Sequence, residues 1–236
     1  PTGTEPTGTE PTGTEPTGTE PTGDALTGDA LTRDALLGGR VHLWQPARGY
    51  RAGVDPVLLA AACPARPGDR VLELGCGAGA AALCLAARVP GLAITAVERD
   101  ADMAALARRN AAEAGAPIDV VAADLRALPA PLRQIGFDHV IANPPYFDRA
   151  ASRASADARR EAALGEETPL ADWLDAAARR LAPKGWLTLI HRAERLPCVL
   201  AGLARLGSVA VQPLVPRAGK PARLILVRAR KGGRAP

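Results

Sequence analysis

Residues 70–79 read Arg-Val-Leu-Glu-Leu-Gly-Cys-Gly-Ala-Gly, an apolar run that passes straight into a loop with glycine at every second position. Glycine tolerates backbone conformations closed to other residues, so Gly75, Gly77 and Gly79 allow the chain to approach a ligand closely. A pattern rich in Ala and Leu follows over 78–88, which predicts a helix and places the loop at its N-terminus, where unpaired N–H groups collect. A strand, a glycine loop and a helix in this order open a doubly wound α/β sheet, whose ligands bind outside the carboxyl ends of the strands.

The remaining sequence extends that pattern. Apolar runs at 70–74, 93–98, 118–122, 137–142, 185–191, 208–216 and 223–229 predict seven strands. Helices are expected over 56–62, 101–114, 170–181 and 193–206. Only Arg217-Ala-Gly-Lys-Pro-Ala separates the last two strands, so they should form an antiparallel hairpin. The N-terminus differs: Pro-Thr-Gly-Thr-Glu occurs four times and then degrades toward Leu36. Residues 1–32 are expected to be a disordered low-complexity segment and 33–236 the folded domain, because the repeats hold nothing with which to build a core.

Composition narrows the function. The chain has 236 residues, 47% of them hydrophobic, enough for one domain. No apolar stretch approaches the ~18 residues that span a bilayer, so a cytoplasmic protein is expected. Cys63, Cys76, Cys84 and Cys198 lack paired spacing, and His42, His139 and His191 are isolated, so neither a metal site nor a disulfide framework is expected. Buried structural thiols are the expectation for the cysteines. Residues 33–236 carry 29 basic and 19 acidic side chains, an excess of ten that favours a polyanionic partner. A C-terminal group, Arg217, Lys220, Arg223, Arg228, Arg230, Lys231 and Arg234, is the candidate for phosphate contacts.

The fourth predicted strand ends in Asn143-Pro144-Pro145-Tyr146. Two prolines fix φ and remove donors, leaving a stiff backbone with free carbonyls. An amide acceptor on Asn143, the Pro144 carbonyl and the face of Tyr146 suit a planar group bearing NH₂. Glu98 lies 23 residues after Gly75, the separation at which an acid on the second strand tip reaches ribose hydroxyls. Gly75, Gly77 and Ala80 also satisfy a dinucleotide fingerprint, so the loop alone does not exclude NAD.

Together the loop at Glu73–Gly79, Glu98, Asp124 and the Asn-Pro-Pro-Tyr tetrad resemble the class I methyltransferases, and seven strands with a terminal hairpin match that fold. Upstream, residues 44–55, Trp-Gln-Pro-Ala-Arg-Gly-Tyr-Arg-Ala-Gly-Val-Asp, resemble the segment that closes over the donor in bacterial tRNA adenine-N6 methyltransferases acting on a valine tRNA. The resemblance runs from about Leu37 to Arg230. It implies S-adenosylmethionine as cofactor, held by Gly53, Asp55, Glu73, Gly75, Gly77, Gly79, Glu98 and Asp124. It implies catalysis by Asn143, Pro144 and Tyr146, with Tyr146, Phe147 and Arg149 facing the substrate, and tRNA as partner. Asp124 and Asp55 could each instead cap a helix. The tetrad also fits protein glutamine N5-methyltransferases, and a donor-binding protein without catalysis is a further alternative. Oligomeric state is open, with a monomer favoured.

Overall fold

The computed structural model describes residues 30–49, 51–146 and 168–234. The expected disordered segment, apart from Ala30, Leu31 and Thr32, therefore lies outside the described residues, as do Phe147 and Arg149. Seven strands form one sheet: β3 (Arg70–Leu74), β4 (Ala93–Glu98), β5 (Ile118–Ala122), β6 (Phe137–Ala142), β7 (Leu181–Arg192), β8 (Leu206–Leu214) and β9 (Leu224–Lys231). Their order is β5-β4-β3-β6-β7-β9-β8. The first five pair in parallel, while β9 pairs antiparallel with both β7 and β8, giving the expected terminal hairpin.

The helices are α1 (Asp55–Ala62), α2 (Ala80–Arg88), α3 (Ala101–Glu113), α4 (Ala130–Gln134), α5 (Leu170–Arg180) and α6 (Leu196–Gly202). Alternation along the strands sends side chains to two cores. Leu72, Leu74, Val140 and Leu189 pack beneath α5 and α6 with Leu174 and Val199. Val71, Ile94, Ile141 and Ile190 meet Leu59, Ala82 and Leu85 of α1 and α2 on the other face. Both faces are covered, so the central strands carry apolar side chains on both rather than alternating regularly with polar residues, with Glu73 and His139 among the buried exceptions.

Several boundaries differ from the expectation; β7, for one, begins at Leu181 rather than 185. The helix after the glycine loop begins at Ala80 rather than 78, because Gly79 is left-handed at φ 88° and serves as the N-cap. The helix expected over 193–206 is a 3₁₀ turn at Ala193–Arg195 followed by the short α6, and β8 then starts at Leu206. Pro197, in the first turn of α6, favours a fresh helix start after the 3₁₀ turn.

A further element was not anticipated at all. Residues assigned to the tail and its margin form β1 (Leu31–Leu36), which pairs antiparallel with β2 (Val41–Pro46) in a separate two-stranded sheet. Leu31 and Thr32, ahead of the expected boundary at 33, thus belong to a strand. Val41 and Leu43 bury against Leu83 and Leu106, fixing this hairpin on α2 and α3. Asn110, buried in α3, exchanges hydrogen bonds with both backbone groups of Trp44 at 2.9 Å and donates to the Ala78 carbonyl at 2.9 Å. One side chain therefore joins the hairpin to the glycine loop.

Candidate functional site

A cavity of about 300 Å³ opens at the carboxyl ends of the parallel strands. Its wall brings together the glycine loop, the tips of β4 and β5, the tetrad after β6, and the segment after β2. Gly75 and Gly77 adopt φ of 66° and 55° there, as the close approach requires. A Cβ on Gly75 would stand 2.3 Å from the Trp173 ring, so this glycine is also what admits the indole to the wall. Gly79 plays another part: a Cβ there would meet Ala107 of α3 at 3.5 Å, and the residue is not in the wall.

The acids are held in place by backbone donors. Glu98 accepts from Gly77 N–H at 2.8 Å and from Asp100 N–H at 2.9 Å, which ties the β4 tip to the loop. Glu73 accepts from Ala82 N–H at 2.9 Å in the first turn of α2. Burial, reinforced by the nearby Glu98 charge, pushes the Glu73 carboxyl up to about 8 against the opposing hydrogen bond from Ala82, so it carries its proton at neutral pH. Asp124 lies in the wall, but its carboxylate caps the following 3₁₀ turn through Arg126 N–H and pairs with the Arg126 guanidinium at 2.6 Å. That side-chain bond is the main cause holding Asp124 below the ordinary carboxylate range. The capping role read for Asp124 is realised beside its place in the wall.

Asp55 does not cap the helix at Pro56. The helix begins at Asp55 itself, behind Val54, which makes no side-chain cap. Its carboxylate instead accepts from the Tyr146 hydroxyl, which also lies 2.9 Å from Asn143 Oδ1. A phenol has one hydrogen, so it serves one of these two oxygens at a time, while the Asn143 oxygen keeps a second lone pair. Asn143, Pro144 and Tyr146 all line the cavity. Gly53 and Asp55 are outside its wall, although Ala52 and Pro56 beside them are in it.

Behind Tyr146 stands His191 of β7, ring centroids 5.4 Å apart and planes tilted by 58°. His191 Nδ1 accepts from Arg192 N–H at 2.8 Å, an arrangement that assigns the ring proton to Nε2. Nε2 lies near the Pro145 carbonyl but outside hydrogen-bonding geometry. Burial, with Arg195 and Arg192 nearby, lowers the imidazole to about 4, so the ring is neutral. In the sequence His191 stands isolated; only the β6–β7 pairing brings it to the tetrad.

The segment over the cavity is laced to the hairpin. Asp34 Oδ2 accepts from Gln45 Nε2 at 2.8 Å and from Arg51 at 2.7 Å, and Gln45 Oε1 accepts from Ala52 N–H at 2.8 Å. Arg51 also donates to Thr32 at 2.7 Å and to the Pro46 carbonyl at 3.1 Å. Gln45 and Arg48, from the segment read as closing over the donor, are in the wall, and Arg99, Met103, Thr168 and Trp173 are wall residues that carried no recognisable local signal.

The cysteines divide. Cys63, Cys76 and Cys84 are buried, with thiols raised chiefly by burial, whereas Cys198 is exposed, against the expectation for it. It sits on the outer side of α6, a helix that buries Val199 but little else. Among the described residues no helix is long and apolar enough to cross a membrane, and no group of His, Cys, Asp and Glu has the arrangement of a metal site.

Residues 53–201 match the model of the methyltransferase small domain family. The chain is 34% identical over 194 residues to the tRNA1(Val) (adenine(37)-N6)-methyltransferase of Aeromonas hydrophila subsp. hydrophila, covering 77% of each chain. It is 36% identical over 149 residues to the release factor glutamine methyltransferase of Salmonella typhimurium, covering 58% of this chain and 52% of that one. Among solved structures it resembles a predicted O-methyltransferase from Agrobacterium tumefaciens, with a TM-score of 0.63 and 32% identity over 77% of this chain and 82% of the other.

Proposed function

The chain belongs to the methyltransferase small domain family, and from that membership we propose that it transfers a methyl group from S-adenosylmethionine to the exocyclic N6 amine of adenine in tRNA. The observation that carries this reading is the joining of Asn143, Tyr146 and Asp55 by one hydroxyl at the edge of the cavity. It orients an amide acceptor and an aromatic face toward the same space.

The wall fits the donor. Glu98, Asp100, Asp102 and Asp124 line it beside the protonated Glu73, and carboxylates suit a ligand with a sulfonium, an ammonium and ribose hydroxyls. Gly75 and Gly77 would bring backbone close to its amino-acid part, Glu98 would hold the ribose and Asp124 the adenine amine. Gly53 and Asp55 would act from behind the wall, by shaping the segment over it. Bound there, S-adenosylmethionine supplies an electrophilic methyl on a good leaving group, so no covalent intermediate on the protein is needed.

The chain's own work is orientation. An adenine N6 lone pair is delocalised into the ring. The Asn143 oxygen and the Pro144 carbonyl each accept one N6 hydrogen, which concentrates the pair on nitrogen. Correct orientation of two reactants contributes on the order of 7–11 kcal/mol to lowering such a barrier. Tyr146 stacks on the base once it has left the nucleic-acid stack, as base-modifying enzymes require. Phe147 and Arg149, which lie outside the described residues, are further candidates for substrate contact on the family resemblance, and the protein acts in the cytoplasm.

The test is methyl transfer from labelled S-adenosylmethionine to total tRNA, followed by nucleoside analysis. N6-methyladenosine is expected from the wild type, and Asn143→Ala should reduce it at least ~100-fold, the scale of losing a positioned transition-state contact. Label found only in protein as methylglutamine would overturn the tRNA assignment.

A further inference from the structure

In sequence the C-terminal cations form one basic group, but the fold divides them between opposite edges of the sheet. β9 runs antiparallel to β7, pairing Leu224 with Arg192 at the carboxyl end and Arg230 with Trp186 at the other. The two sets differ in what they touch. Arg230 donates to the Lys184 carbonyl at 3.1 Å and lies 5.6 Å over the Trp186 ring. Lys231 donates to the Leu181 carbonyl at 2.7 Å, and burial lowers its ammonium below the ordinary range. Those charges are spent on the chain's own backbone.

At the site edge the situation is reversed. Ala193 N–H donates to the Arg223 carbonyl at 2.9 Å, fastening the end of the β8–β9 loop two residues beyond His191, which packs on Tyr146. Arg217, Lys220 and Arg223 are exposed, and their side chains make no ion pair or hydrogen bond among the described residues. The neighbouring acid, Glu194, is already paired with Arg192 at 3.0 Å. Three uncompensated positive charges thus stand on the rim that carries the tetrad. No aromatic side chain interrupts residues 215–223, so the loop offers charge without base-reading groups.

We propose that Arg217, Lys220 and Arg223 bind the phosphate backbone of the RNA whose base enters the cavity, and that the cations of the opposite edge do not. This rests on the tRNA reading above. It separates anchoring from chemistry: the loop holds the strand near the rim while the tetrad engages the extruded base.

The experiment compares the full chain with two variants, Arg217→Ala/Lys220→Ala/Arg223→Ala and Arg228→Ala/Arg234→Ala. Arg228 and Arg234 are exposed; Arg228 pairs with Thr188 within β7, four residues from Leu224, and Arg234 follows the end of β9 at Lys231. Affinity for total tRNA is measured against salt, with S-adenosylmethionine affinity and thermal midpoint as controls for folding. The rim variant should weaken tRNA binding on the order of tenfold or more. It should flatten the slope of log affinity against log salt by about one for each cation removed. The other variant should match the wild type, and donor binding should be unchanged in both. Equal salt slopes for the wild type and the rim variant, with the wild type still methylating tRNA, would overturn the surface alone. A wild type that neither binds nor methylates tRNA would overturn the substrate reading and the surface with it.

Discussion

At the scale of single residues, the site rests on close approaches that admit one side chain each. Gly75 combines a positive φ with a Trp173 ring where a Cβ would stand. Gly75→Ala should therefore destabilise the fold by ~2–4 kcal/mol, from overpacking and left-handed strain together, read as a lower denaturation midpoint. Trp173→Ala in the same background should recover the packing part, whereas simple additivity of the two losses would deny the contact. His191 makes a prediction in pH. Its folded value of about 4 is below the ordinary 6.5, so the unfolded chain takes up a proton that the folded chain refuses. The stability from the neutral ring is complete above pH ~6.5 and is lost as the pH falls toward 4. The charged groups nearest the ring, Arg192 and Arg195, lower it further. Between pH 7 and 5 the thermal midpoint of the wild type should fall more than that of His191→Phe. Parallel profiles would show that His191 does not titrate in this way.

At the scale of elements, the β1–β2 hairpin is what distinguishes this chain from a bare doubly wound sheet. Asp34 receives both Gln45 and Arg51, and Gln45 in turn holds Ala52 N–H, so the hairpin fixes the segment that forms one side of the cavity. Asp34→Ala removes the shared acceptor, and each such bond contributes ~0.5–1.5 kcal/mol. Affinity for S-adenosylmethionine should drop on the order of tenfold, beside a loss of ligand-free stability of similar size; unchanged affinity in a titration would reject the role. This hairpin was also the least legible part of the sequence. Leu31-Thr-Arg-Asp-Ala-Leu continues the register of the degraded pentads and reads as their margin, although it pairs residue by residue with β2. The parallel strands, the glycine loop and the tetrad were legible because each carries its pattern locally. The partners of the tetrad were not, since Asp55 and His191 reach Tyr146 from 91 residues upstream and 45 downstream, joined only by the fold.

At the scale of the whole molecule, the glycine loop and the acid on β4 would serve a dinucleotide as well as a methyl donor, and what separates the two is how the cavity closes. Its far side is built from the tetrad and the hairpin-tethered segment, with Trp173 and Met103 against the glycine loop, around a cavity of about 300 Å³. The tetrad closes that side through the Tyr146 hydroxyl held by Asp55, and membership of the methyltransferase family calls for a donor with one nucleoside and a short amino-acid arm there. Because these walls come from segments spread between Gln45 and Trp173 and from both sides of the sheet, a ligand that fills the cavity binds the folded state and not the unfolded one. At 100 times its dissociation constant such a ligand stabilises by ~2.7 kcal/mol. For a domain of this size that corresponds to a rise of roughly 5–10 °C in the thermal midpoint. S-adenosylmethionine and its demethylated product should both produce a rise of this order, and NAD at the same concentration should leave the midpoint within about 1 °C. A comparable rise with NAD would mean that the loop, rather than the closure around it, sets ligand choice.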